Sequence, residues 1–186
     1  SSGDSPKSYA MQGGVLRIET RKASRDRVKV AHTRRDFGEG RYSWRVYVPP
    51  MGTGDQASIG AFLYRDDKHE VDFEIGYGKA ALRQELGCGP GDLVCYCTSQ
   101  GFPFSSSQRK IRAARWYTLA IDLRAGKNDD YLINWYIDGR VVKTLQTGIK
   151  SDMEFGIHCS VENLAFLGDH LPKQKNYALF DWMEFD

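Results

Sequence analysis

Apolar and polar residues alternate one by one along most of the chain, which is the period of a strand with one face buried. Tyr42-Ser-Trp-Arg-Val-Tyr-Val48 sets large apolar residues against polar ones and stops at Pro49-Pro50. Val15–Thr20, Ala57–Tyr64, Glu70–Gly76 and Leu93–Thr98 read as further strands, divided by turn-rich segments. Trp116–Leu123, Tyr131–Asp138, Val141–Leu145, Phe155–Ser160 and Ala178–Phe185 follow. Asp138-Gly139 joins two of these as a hairpin dipeptide, because both positions tolerate positive φ. No segment has a convincing amphipathic helical period. Roughly ten short strands spaced by turns predict an all-β sandwich or barrel. The tryptophans Trp44, Trp135 and Trp182 fall inside alternating strands, where core packing is the favoured role.

Length and composition narrow the class. The 186 residues suit one domain. Residues 1–10 read as a flexible lead-in and 11–186 as a single domain. The 26 basic residues nearly balance the 24 acidic ones, which argues against a nucleic-acid partner, since phosphate binding needs a concentrated basic face. The densest basic stretch, Arg17 to Arg35, is diluted by Glu19 and Asp26 and reads as a solvated strand face. No apolar run approaches the roughly 18 residues of a membrane-spanning helix, so no membrane partner is expected. Cys88, Cys95, Cys97 and Cys159 lack zinc-ligand spacing and are expected as free thiols. The expected state is a monomer.

Chemistry concentrates in His69-Glu-Val-Asp-Phe-Glu-Ile-Gly76. On a strand, Glu70, Asp72 and Glu74 point one way, and Val71, Phe73 and Ile75 the other. A strand backed by a core then presents a row of acids. Residues four apart lie ~13 Å apart at Cα. Glutamates leaning across the intervening Asp72 would bring their carboxyls to about 5–6 Å, near the separation of a retaining glycosidase pair and below that of an inverting one. Like charges this close cannot all ionise freely, so at least one pKa rises. An acid beside an ionised carboxylate is what acid-plus-nucleophile catalysis needs. Two other readings fit the same pattern: an exposed acidic face paired with cations across the sheet, and a calcium site.

Glu70-Val-Asp-Phe-Glu74 resembles the E-x-D-x-E strand of family-16 glycoside hydrolases, the laminarinase and lichenase family. The resemblance spans most of the chain in order. Gly14-Val-Leu-Arg-Ile18 and Gly40-Arg-Tyr-Ser-Trp-Arg-Val-Tyr-Val-Pro49 are similar to the family's early strands. Ile133-Asn-Trp-Tyr-Ile-Asp-Gly139 resembles its W-Y-V-D-G, and Phe180-Asp-Trp182 its final strand. It implies a concanavalin A-like jelly roll of two curved antiparallel sheets, with a polysaccharide or oligosaccharide along the concave face. Glu70 would be the nucleophile, Asp72 its helper and Glu74 the general acid/base of a retaining endo-β-glycanase. An extracellular or cell-surface location is implied with it. No cofactor is required. A structural calcium on Asp181 and the carbonyl near Gly14 is the one metal the resemblance suggests.

The sugar-binding positions depart from the family pattern. The Trp usual before the first Glu is missing, and the approach reads Tyr64-Arg-Asp-Asp-Lys-His69. His158-Cys-Ser-Val-Glu-Asn163 also lacks the usual Trp. In Val94-Cys-Tyr-Cys-Thr98, either Cys95 and Cys97 or, one register over, Tyr96 would face substrate. Trp116, His158 and Arg65 are further candidates for sugar contacts. His69 is expected in a turn or the core. A transglycosylase on the same site and a non-catalytic, lectin-like carbohydrate-binding module remain alternatives.

Overall fold

The alternating segments become strands of two antiparallel sheets in the computed structural model, which describes residues 8–186. One sheet has seven strands, in the spatial order Tyr9–Gln12 (β1), Val15–Thr20 (β2), Asn176–Phe185 (β13), Gly40–Val48 (β4), Arg115–Ala125 (β9), Asp130–Ile137 (β10) and Arg140–Lys150 (β11). The other has six: Arg27–Ala31 (β3), Gly156–Asn163 (β12), Ala57–Asp66 (β5), His69–Gly76 (β6), Asp92–Ser99 (β7) and Ser105–Arg112 (β8). The all-β sandwich is therefore as expected.

The core lies between the sheets. Val71, Phe73 and Ile75 of β6 meet residues such as Trp44, Leu119, Ile121 and Trp135 from the seven-stranded sheet, and all are buried. Trp135 does more than fill space: its Nε1–H donates to the backbone carbonyl of Asp72 at 3.0 Å. That bond ties β6 to the opposite sheet at the centre of the acidic row.

Three strands lie outside the segments read as strands from the sequence. β1 begins at Tyr9, inside the expected lead-in, and pairs with β2; residues 1–7 of that lead-in lie outside the described residues. β3 belongs to the basic stretch, and β8, polar except for the core residue Ile111, forms a sheet edge. Trp182 corrects the core expectation. A register shift between Phe180 and Trp182 interrupts the alternation of β13, and Trp182 stays 41% exposed. A short helix, Ala80–Glu85 (α1), also departs from the sequence reading. Its residues are good helix formers. Gly87 ends it at φ +59°, where Gly87 N–H donates to the Gln84 carbonyl and Cys88 N–H to that of Arg83.

The hairpin at Asp138-Gly139 forms as expected, with φ of +48° and +77°. His69 sits at the β5–β6 turn with Nδ1 2.8 Å from Asp66. All four cysteines are free.

Candidate active site

Pleating decides which side chains of β6 reach the outer face of the six-stranded sheet. Its apolar residues are fully buried in the core, so Glu70, Asp72 and Glu74 all point outward. The neighbours follow from register. Across from β7, Tyr96 stands opposite Glu74 and Thr98 opposite Asp72. From β5, Gly60 stands opposite Glu74, Phe62 opposite Asp72 and Tyr64 opposite Glu70.

The three carboxylates line one groove of about 720 Å³. It crosses the strands from Arg27 on β3 to Ser106 and Gln108 on β8. Phe104, in the β7–β8 connection, stands on one side and Phe166, after β12, on the other. Both rings are largely solvent-facing, at 65% and 50% exposure. Phe166 meets Tyr96 edge-on at 5.8 Å. Gly60 keeps the floor low beside Glu74, since a Cβ there would lie 2.5 Å from Ser160 Oγ.

The acids differ in environment. Asp72 and Glu74 are 2% and 9% exposed, whereas Glu70 is less deeply buried. Burial pushes the Asp72 carboxyl well above the usual carboxylate range, and the Glu70 charge pushes it further while Thr98 opposes the shift. Its Oδ1 has no hydrogen-bond partner among the described residues. Glu74 is raised by burial first, then by Asp72, Glu162 and Glu70, against the pull of Lys29. Ser58, fully buried, donates its hydroxyl to Glu74. Burial also raises Glu70, opposed chiefly by the charge of Lys29. Two neutral-leaning acids beside one with cations in reach can divide proton donation from nucleophilic attack.

Not every expected contact is here. Cys95 pairs with Ile75 and Cys97 with Phe73, and both thiols are buried in the core, so neither faces a substrate. Tyr96, the alternative one register over, lines the groove, its hydroxyl pushed up to about 12 by burial and Glu74. Trp116 belongs to the other sheet. Because Tyr117, Leu119 and Ile121 face the core, Trp116 points to the far side of the sandwich, against Tyr47 at 5.6 Å. Arg65 is exposed at the β5 bulge and does not line the groove. His158 shares the face but not the groove: it stacks on Phe62 at 5.0 Å, and burial with Arg35 and Lys29 depresses its pKa to about 4. Phe104, Phe166, Thr98, Gln108 and the Arg27–Glu162 pair were missed. The first two sit in connections without periodicity, and the pair joins residues 135 positions apart.

No protein-family model matches the sequence, and no curated protein matches it. Solved structures do. A prokaryotic β-1,3-1,4-glucanase (lichenase) from a mouse hindgut metagenome superposes with a TM-score of 0.67 at 16% identity, covering 96% of this chain and 83% of that one. The fold is the jelly roll of these enzymes. A GH16 protein of the Bacteroides ovatus mixed-linkage glucan locus, in complex with a G4G4G3G product, gives 0.65 at 14% identity over 96% of this chain and 84% of that one. A transglycosylase in complex with NAG gives 0.70 at 16% identity, covering 96% and 75%.

Of the two residues expected to hold calcium, Asp181 and Gly14, only Asp181 brings a carboxylate. Asp181 is exposed beside a cavity of about 210 Å³ at the sandwich edge, among Met11, Leu16, Phe180, Trp182 and Met183. Calcium requires six to eight oxygens, and among the described residues no cluster of three or more acidic, His or Cys side chains could hold a metal. No helix among them is long and apolar enough to cross a membrane.

Proposed function

We propose that this chain is a retaining endo-β-glycanase acting on a β-linked polysaccharide in the groove over β6. The observation that carries the reading is the row Glu70, Asp72 and Glu74 in one groove, with burial rising from the first acid to the other two. Glu70, within the field of Lys29, serves as the carboxylate nucleophile. Glu74, its carboxyl pushed well above the usual carboxylate range by burial, serves as the acid.

In the first step a Glu70 oxygen attacks the anomeric carbon. The glycosidic C–O bond breaks, and the Glu74 proton passes to the leaving oxygen. In the second step Glu74, now ionised, takes a proton from water. The water oxygen bonds to the anomeric carbon and releases Glu70 as carboxylate. Asp72 lies between them, and its charge state couples the two acids. Phe104 and Phe166 offer flat apolar surfaces to the C–H faces of pyranose rings and take the place of the missing tryptophans. A polymeric substrate of this kind is met outside the cell or at its surface.

Release of reducing ends from mixed-linkage glucan, laminarin, xyloglucan, agar or carrageenan tests the proposal. Activity on one of them that vanishes in both Glu70→Gln and Glu74→Gln is expected. Near-wild-type activity in either variant would overturn the assignment. A transglycosylase reading is favoured by the structure solved with NAG and by the apolar walls of the groove. In that case the product spectrum at high acceptor concentration shifts to longer chains.

A further inference from the structure

The groove is chemically lopsided. Its β7–β8 end is neutral: Thr98 Oγ1 and Ser106 Oγ are 3.0 Å apart, and Gln108 Nε2 donates to Ser106 Oγ at 2.8 Å. Its β3 end is cationic. Val28 and Val30 pack on the core, so Arg27 and Lys29 rise on the groove's side of the sheet. Arg27 donates Nε–H to Glu162 at 2.6 Å, yet its side chain is 59% exposed. Its two terminal nitrogens make no hydrogen bond among the described residues. Lys29 Nζ lies 3.6 Å from the same carboxylate and its side chain is 44% exposed. Glu162 is 3% exposed and also accepts from Ser160 at 3.1 Å. Arg35, beside His158, is exposed without an ion pair among the described residues.

Glu162 therefore works as a buttress. By taking Nε it fixes the guanidinium plane and leaves the outer edge, with its paired N–H groups, turned to solvent. That edge matches a carboxylate or sulfate bidentately. Recognition of hydroxyls alone is already supplied by the uncharged end and gives no reason for three cations on this flank. Glu162 meets Arg27 and Lys29 directly, and Lys29 also acts on Glu70 and Glu74, whose carboxyls burial raises.

We propose that the β3 end of the groove is a subsite for an anionic substituent on the glycan, a uronate carboxylate or a sulfate ester, held by the outer nitrogens of Arg27 and by Lys29. This rests on the glycan-cleft reading above and narrows it to acidic β-glycans. β3 is three strand spacings from β6, about 14 Å, which exceeds a Debye length of about 8–10 Å. The anion thus belongs to a sugar remote from the cleaved bond.

The test is calorimetric titration of the Glu70→Gln chain with matched neutral, uronate-bearing and sulfated β-glycan oligosaccharides. One anionic series should bind about tenfold more tightly than the neutral one and lose that advantage at high salt. Lys29→Gln should remove most of the advantage. So should Arg27→Lys, which keeps a cation beside Glu162 and so guards against misfolding. Neutral binding should not change. The uronate and sulfate arms distinguish the two sources of charge. Equal affinity for neutral and anionic glycans, or a preference untouched by both variants, overturns the subsite. Anionic binding without cleavage by the wild-type chain keeps the subsite and sinks the hydrolase reading. Cleavage of neutral glycans with no anionic preference does the reverse.

Discussion

On the outer face of the seven-stranded sheet, charges and rings answer one another at close range. Arg124 donates to the buried Asp122 at 2.8 Å, Arg41 lies 4.2 Å over Tyr136, and Arg45 lies 5.7 Å over Trp116. On the outer face of the six-stranded sheet, Glu70, Asp72 and Glu74 stand in a row and form no salt bridge with a cation among the described residues. The same alternation builds both faces. The first pairs its charges with opposite charges or rings nearby, as a structural surface does. The second leaves buried acids in mutual repulsion, which is costly for stability and useful for moving protons.

The sharpest way to break this contrast is to remove the acids of the grooved face one at a time. Glu70→Gln and Glu74→Gln should each lower turnover by at least ~10³-fold with the far-UV circular dichroism unchanged. The walls come next. Phe104→Ala and Phe166→Ala should each raise KM about tenfold, with a smaller effect on kcat, because their rings are exposed for contact rather than packed. A steady-state series on the accepted glycan checks both.

Stability carries the opposite sign to activity. Burial raises Asp72 and Glu74 in the folded chain, so the folded state binds more protons than the unfolded one. The stability held in those protons is complete below the ordinary carboxylate range and is lost as pH rises through the folded values. Asp72→Asn, neutral throughout, should therefore raise Tm by about 2–4 °C on the alkaline side and leave it unchanged in acid. Thermal unfolding across pH reads this directly. The smallest effect belongs to the other face: Trp116→Ala should leave kcat/KM within about twofold of wild type. A larger loss would mean that the two faces are not as separate as their geometry.

What could be read in advance was whatever one strand settles alone. Val71, Phe73 and Ile75 alternate with three acids, so the direction of the acidic row follows from the pleat. Whether Tyr96 or its flanking cysteines reach the groove depends on the register of β7 against β6, which no property of Val94–Thr98 specifies. Trp116 has a perfect strand context, but alternation does not say which sheet a strand joins. Trp182 was lost to a single bulge, and β8 to having one apolar residue, Ile111, on a sheet edge. The Arg27–Glu162 contact required two strands distant in sequence to meet β12 against β3.

The indole of Trp135, reaching through the core to the Asp72 carbonyl, sets where variation is affordable. The floor of the groove takes its position from a residue on the opposite layer, so repacking far behind the cleft would shift the acidic row. The loops bearing Phe104 and Phe166 are anchored at Phe102 and Leu167, whose carbonyls accept from Gly148 and Gly78, but the two rings themselves stay exposed. A lineage, or an engineer, seeking a new sugar would exchange the rims and leave the foundation untouched.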